Sequence, residues 1–265
     1  MIRLLPVLLL LAACATPVAP PATRPAGIAA DQPQMPPYVR YGFEPFTRGT
    51  VIAIARREWR AFGSPVWDGP ADAGYDRDSR PDHQPGMWQR VADYWWLGQD
   101  YGAPEGSWSS QYNQNGTPYA GDAPAWSAAF ISYVMRTAGA GAAFPYTPLH
   151  ADYINAGARN EGILHAERPE TYAPQVGDLI CLGRLSARTM RFDDLPTGRF
   201  FGHCDIVATI GPGQLEVIGG NVAGGVTLKH VPVTAQGTLA EPDGVVLDGR
   251  YPWFVVLRVD YGPTS

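Results

Sequence analysis

Apolar residues change their spacing once along this chain, near Gly177, and that change constrains the fold more than any other feature. Before it they recur at helical intervals. Thr50 is placed to cap a helix carrying Ile52, Ala55, Trp59 and Phe62 on one stripe. Pro85 to Trp96 repeats the pattern with Trp88, Val91 and Trp95, and Trp126 to Ala138 does so with Trp126, Phe130, Tyr133 and Thr137 before Gly139 stops it. A short helix is expected from Ala151 to Ala158. After Gly177 the period is two. Leu179–Leu182, Cys204–Ile210, Gln214–Ile218, Val226–Val233 and Phe254–Val259 read as strands separated by turn residues. Helices first and strands later predict an α+β fold with an antiparallel sheet. With 45 % hydrophobic residues and only 17 % charged, a chain of 265 residues can bury a sizeable core.

The first residues read as an export signal. Arg3 supplies a positive start, Leu4 to Leu11 an apolar run too short to span a bilayer, and Leu11-Ala12-Ala13 places small residues before Cys14. The Leu-Ala-Ala-Cys order resembles the site at which bacterial lipoproteins are cleaved and lipidated. It implies a signal peptide over residues 1–13 and a lipid anchor on Cys14. Ala15 and Thr16 follow with no Asp beside the cysteine, a pattern that resembles sorting to the outer membrane, facing the periplasm. Residues 14–38 are rich in Pro and Ala and are expected to form a semi-extended tether. The folded domain is then expected over residues 39–265. A net charge of −5, without a long Lys/Arg cluster, gives no footprint for nucleic acid.

One hairpin brings reactive side chains together. A three-residue loop centred on Pro212 pairs Ile210 with Gln214 and, followed down the strands, His203 with Asn221. Facing side chains on one side of a sheet lie about 5 Å apart. An Asn oxygen in that position fixes the imidazole tautomer and aims the other ring nitrogen outward. Gly202, Gly219 and Gly220 leave room beside them for a substrate backbone. A nucleophile at a helix N-terminus would complete the set, because the helix dipole stabilises a developing anion. Ser127 opens the third helix and is the candidate, against the plainer role of a first-turn serine.

Ala125-Trp126-Ser127-Ala128-Ala129-Phe130-Ile131-Ser132-Tyr133 resembles the nucleophile helix of CHAP amidases and NlpC-type peptidases, papain-like enzymes that cut peptidoglycan peptides. Gly177-Asp178-Leu179-Ile180 resembles their strand entry, and Gly202-His203-Cys204-Asp205-Ile206-Val207 their histidine strand. Asn221 stands where that superfamily places its polar third residue. Trp59, Tyr94-Trp95 and the segment from Phe144 to Ile154 look more closely like an uncharacterised bacterial branch of it, a domain of unknown function. The resemblance spans roughly Thr50 to Asp260. It implies a papain-like NlpC/CHAP-type fold and a Ser127–His203–Asn221 site, with Ser127 Oγ within about 4 Å of His203. Trp126, His150, Asp152 and Tyr153 are expected to line its groove. The implied substrate is a cell-wall peptide or amide, with no cofactor.

The chain departs from that pattern where it matters most, since Ser127 occupies the cysteine position. A thiol becomes a thiolate readily at a helix N-terminus, whereas a hydroxyl needs an aligned base and an oxyanion hole at the moment of attack. Three readings follow: a serine hydrolase, a relative that has lost catalysis and binds peptidoglycan or an envelope partner in the same groove, or a purely structural lipoprotein. A cysteine supplied from elsewhere is the weakest option, because strand alternation points Cys204 away from the His203 face. Cys181 and Cys204 lie on neighbouring strands in a compartment that permits disulfides, so they form a bridge or remain two buried thiols. No HExxH or Cys-rich spacing suggests a metal site. The aromatic loop with Trp108, Tyr112 and Tyr119 is a further candidate groove wall.

Overall fold

A computed structural model describes residues 45–70, 80–98 and 125–262. The expected signal sequence, Cys14, the 14–38 tether and the Trp108–Tyr119 loop lie outside the described residues. Within them the architecture is α+β, with four α-helices preceding a six-stranded antiparallel sheet. The helices are α1 (Arg48–Ala61), α2 (Met87–Leu97), α3 (Ser127–Thr137) and α4 (His150–Ala158). The strands are β1 (Leu164–Glu167), β2 (Leu179–Gly183), β3 (Gly202–Gly211), β4 (Gln214–Val222), β5 (Gly225–Pro232) and β6 (Trp253–Val259), ordered β1-β6-β2-β3-β4-β5 across the sheet.

Local chemistry sets the helix ends. Thr47, rather than Thr50, caps α1: its Oγ1 accepts the Thr50 N–H at 3.1 Å. The buried stripe is accordingly Val51, Ile54, Ala55 and Glu58, rotated from the one expected. The expected stripe followed the aromatic residues, but α1 turns a carboxylate inward, where arginines and tyrosines receive it. At the end of α3, Gly139 takes φ 92°, and the Gly139 and Ala140 N–H groups bond back to Arg136 and Met135. Helix α3 has no solvent face: Ser127 through Arg136 are all buried, because it lies between α1 and α2 on one side and β3 and β4 on the other.

Strand alternation divides the core in two. Cys181, Cys204, Ile206, Ile218, Val255 and Leu257 face the helices. Ile180, Leu182, Val207, Val217 and Val256 face a second cluster with Leu239, Tyr251 and Trp253. Cys181 and Cys204 are directly paired across β2 and β3 and are joined by a disulfide, with Cα atoms 4.2 Å apart. Strand β1, only four residues long and half polar, has no clear alternation in the sequence; it forms by pairing with β6 at the sheet edge.

The β3–β4 hairpin differs from its expected register near the turn. Its loop is Pro212-Gly213, so Gly211 pairs with Gln214 and Ile210 with Leu215. An irregularity between Val207 and Thr209 then absorbs one residue and restores the expected pairs Val207–Val217 and Ile206–Ile218. Two glycines follow on β4, and each clears one face of the sheet. A Cβ on Gly220 would lie 2.6 Å from Phe130 Cβ and 2.8 Å from Trp126 Cζ3, so only glycine lets the start of α3 approach this closely. A Cβ on Gly219 would overlap the Asp205 carboxylate and stand 3.2 Å from His203 Nε2.

Candidate active site

Helix α3 begins where α4 and the first residues of β3 converge. Ser127 is the first residue of α3 and His150 the first of α4, and Ser127 Oγ is hydrogen-bonded to His150 Nε2 at 2.8 Å. Both side chains are enclosed, with 4 % and 5 % of their surface exposed. The His150 ring lies against that of His203, their centroids 5.4 Å apart and their planes inclined by 61°. His203 Nε2 is in turn 2.8 Å from Asp205 Oδ1, two residues along the same face of β3. Lys229 on β5 donates to the other carboxylate oxygen of Asp205, and its Nζ sits 5.3 Å from the centre of the Tyr251 ring.

Electrostatics follow from burial. Desolvation, reinforced by the facing His203, pushes the His150 pKa well below its ordinary 6.5. His203 is also lowered, again chiefly by burial, although Asp205 opposes the shift. Burial of Asp205 favours its neutral acid, but Lys229 and His203 outweigh that effect and hold the carboxyl well below its usual range. Burial therefore biases both imidazoles toward their neutral form, while Asp205 is held as the carboxylate.

The sequence-derived triad is not assembled as expected. The serine's imidazole partner is His150, not His203. Asn221 is half-buried at φ 56°, a left-handed conformation that takes it out of the β4–β5 ladder, whose pairing shifts between Gly219 and Val222. Asn221 is bonded to neither His203 nitrogen: Nε2 is taken by Asp205 and Nδ1 has no hydrogen-bond partner. Asp205 occupies the orienting position instead.

Among the expected groove residues, His150 enters the centre itself. Trp126 is fully buried, donating from Nε1 to Asp82 Oδ2 at 2.9 Å and packing on Tyr94. Tyr153 is also fully buried, and its hydroxyl donates to the Ala128 carbonyl at 2.6 Å, tying α4 to the first turn of α3. Both support the centre from within rather than lining an open groove. Asp152 is half-buried, accepts from Thr147 Oγ1 at 2.7 Å and lies in the first turn of α4. Asp205 and Lys229 were missed as site residues. The available signal was a lysine at an inward position of a largely apolar strand, together with an aspartate two residues after a histidine. Among the described residues no group of three or more His, Cys, Asp and Glu side chains gathers to hold a metal ion.

These features define an α+β protein with a buried serine–histidine pair at a helix N-terminus. Residues 82–259 match the family described as an uncharacterized protein conserved in bacteria, DUF2272, and the chain belongs to that family. No curated protein and no solved structure matches the chain.

Proposed function

We propose that this protein is a cell-envelope hydrolase of amide bonds, with peptidoglycan peptides as the substrate class, Ser127 as nucleophile and His150 as general base. The observation that carries the reading is the 2.8 Å bond between Ser127 Oγ and a buried imidazole whose environment keeps it neutral. A neutral His150 can accept the Ser127 proton at Nε2 as Oγ bonds to the carbonyl carbon. It then returns that proton to the leaving amine as the C–N bond breaks. The first N–H groups of α3 have no helical acceptors and are the candidate donors to the oxygen on which negative charge develops. The NlpC/CHAP-like, papain-type ancestry implied by the motifs supplies the substrate class, and the lipobox-like Leu11–Cys14 segment supplies the envelope location, with a lipid anchor on Cys14 facing the periplasm.

A second reading, a groove that binds peptidoglycan or an envelope partner without cutting, is favoured by one observation: the nucleophile position holds a hydroxyl enclosed to 4 % exposure. Digestion of peptidoglycan by the purified domain, with products read by mass, separates the two. Cleavage that disappears in Ser127→Ala and in His150→Gln is expected for the hydrolase. An inert wild type that still sediments with peptidoglycan would establish the binding protein and overturn catalysis. Release of the full chain from membranes by Cys14→Ala is the expected result for the anchor, and unchanged membrane association would refute it.

A further inference from the structure

We infer that His203, oriented by Asp205, stands behind His150 as the acceptor for its second ring proton, so that the centre is a two-histidine relay, Ser127–His150–His203–Asp205, rather than a serine–histidine dyad. The inference rests on the hydrolase reading for its chemical consequence. Its structural content is independent of it.

The partners at the two ends set where the protons in the middle sit. A carboxylate only accepts, so the 2.8 Å bond to Asp205 places the proton of a neutral His203 on Nε2, which leaves Nδ1 as a bare lone pair. Lys229 Nζ also lies 3.5 Å from His203 Nε2, but the shorter contact to Asp205 sets the direction at that nitrogen. At the other end a hydroxyl can donate or accept; in the direction that attack by Ser127 needs, it donates to His150 Nε2, and the single proton of a neutral His150 then sits on Nδ1. One ring therefore offers an N–H and its neighbour offers a lone pair. Both Nδ1 atoms are buried and neither has a partner. A buried polar atom without a partner is costly, so two on adjacent rings call for a common explanation.

Distance supports the pairing. Nitrogens about 3 Å apart in an N–H···N bond place imidazole centres about 5 Å apart. The ring centres are 5.4 Å apart, within reach of such a bond, which is not made in the resting arrangement with the planes inclined by 61°. When Ser127 attacks, its O–H bond breaks, the Oγ–carbonyl bond forms and the proton passes to His150 Nε2. The resulting imidazolium turns its Nδ1–H toward His203, and the carboxylate of Asp205 stabilises the positive charge through that ring. The proton leaves from Nε2 with the amine, so His203 and Asp205 undergo no net change. His203 is a positioning residue here.

Long-range ¹⁵N NMR of the imidazoles in the full chain reads the tautomers without any substrate. The expected spectrum shows His150 protonated on Nδ1 and His203 on Nε2. A His150 protonated on Nε2 would overturn the relay even if peptidoglycan is cleaved. In His203→Gln kcat is expected to fall about 10- to 100-fold at unchanged KM. Asp205→Asn, which keeps the side-chain shape and removes a negative charge that raises the proton affinity of His150, is expected to lower the His150 titration. If the His150 titration in Asp205→Asn is the same as in wild type, the coupling does not exist. Correct tautomers and coupling in a chain that cuts nothing would preserve the relay and reject the hydrolase.

Discussion

Glu58 and Asp205 are both fully buried carboxylates held by cations, and comparing their surroundings separates a cluster that closes on itself from one that leads on to the Ser127 hydroxyl. Glu58 joins α1 to α2 and α3. Its Oε1 accepts from Arg57 Nε at 2.8 Å, its Oε2 from Arg90 Nε at 2.5 Å and from the Tyr94 hydroxyl at 2.6 Å, and the donors come from three directions. The Tyr94 hydroxyl is driven well above its ordinary pKa, first by burial and then by Glu58, so it remains a donor throughout the physiological range. No capacity of the carboxylate is wasted. Asp205 is equally well met by Lys229 and His203, but the chain of contacts continues from it through two rings that each leave Nδ1 unpaired, and it ends on a hydroxyl at a helix N-terminus. Cohesion alone would select against those open positions. Their presence on the path to the Ser127 hydroxyl is what distinguishes the second cluster.

Mutations can break that contrast, beginning with the largest effect. Asp205→Ala leaves the buried Lys229 ammonium uncompensated and should cost about 3 to 5 kcal/mol in urea unfolding. A loss under 1 kcal/mol would mean that Lys229 reaches water. Removing the Cys181–Cys204 bridge, which closes a loop of 23 residues beneath His203, should cost about 3 kcal/mol in the double Ser variant. Glu58→Gln should cost about 2 kcal/mol, less than Asp205→Ala, because Arg57 and Arg90 are 50 % and 32 % exposed and water screens their pull.

Acid titration sharpens the comparison further. The unfolded chain takes up protons on His150 and His203 near pH 6.5, whereas the folded chain, with both values lowered, does not. Stability should therefore fall as pH drops below about 6.5, by at most about 1.4 kcal/mol per pH unit per histidine, and recover above it. The depressed Asp205 acts with the same sign at lower pH: its contribution is complete above the ordinary carboxylate range and is lost as pH falls toward its folded value. Thermal melts from pH 8 to 5 check this, and a stability that rises on acidification would contradict the burial of neutral imidazoles. The smallest effect on folding should come from Ser127→Ala, about 1 kcal/mol for one hydroxyl bond between neutral groups. A larger loss would assign Ser127 to cohesion.

How much of this was legible in the sequence depended on distance along the chain. The β3–β4 hairpin is local, and its register below the irregularity at Val207/Thr209 is the one that the spacing predicts. Helices α2, α3 and α4 likewise fall within a residue or two of their periodic patterns. The pairing of Ser127 with His150 depends instead on how two helix N-termini dock, and no residue pattern encodes that approach until β3 and β4 are in place beneath them. Asn221 was favoured because an ideal ladder puts it opposite His203. The β3–β4 ladder stops at the Ile206–Ile218 pair, short of His203, and Asn221 takes its left-handed φ within the shift of the β4–β5 pairing between Gly219 and Val222. Lys229 and Asp205 lie on strands separated by β4, so their ion pair becomes visible only once the sheet order is known.

Labelling with a fluorophosphonate tests most directly whether Ser127 and His150 form a reactive pair, since it needs no knowledge of the substrate. The reagent phosphonylates an activated serine, its Oγ–P bond forming as fluoride leaves, and peptide mass identifies which serine carries the adduct. An adduct on Ser127 is predicted in wild type and in folded Glu58→Gln, with labelling at least about 100-fold slower in His150→Gln. A folded chain whose Ser127 stays unlabelled, or is labelled equally fast without His150, would contradict the account.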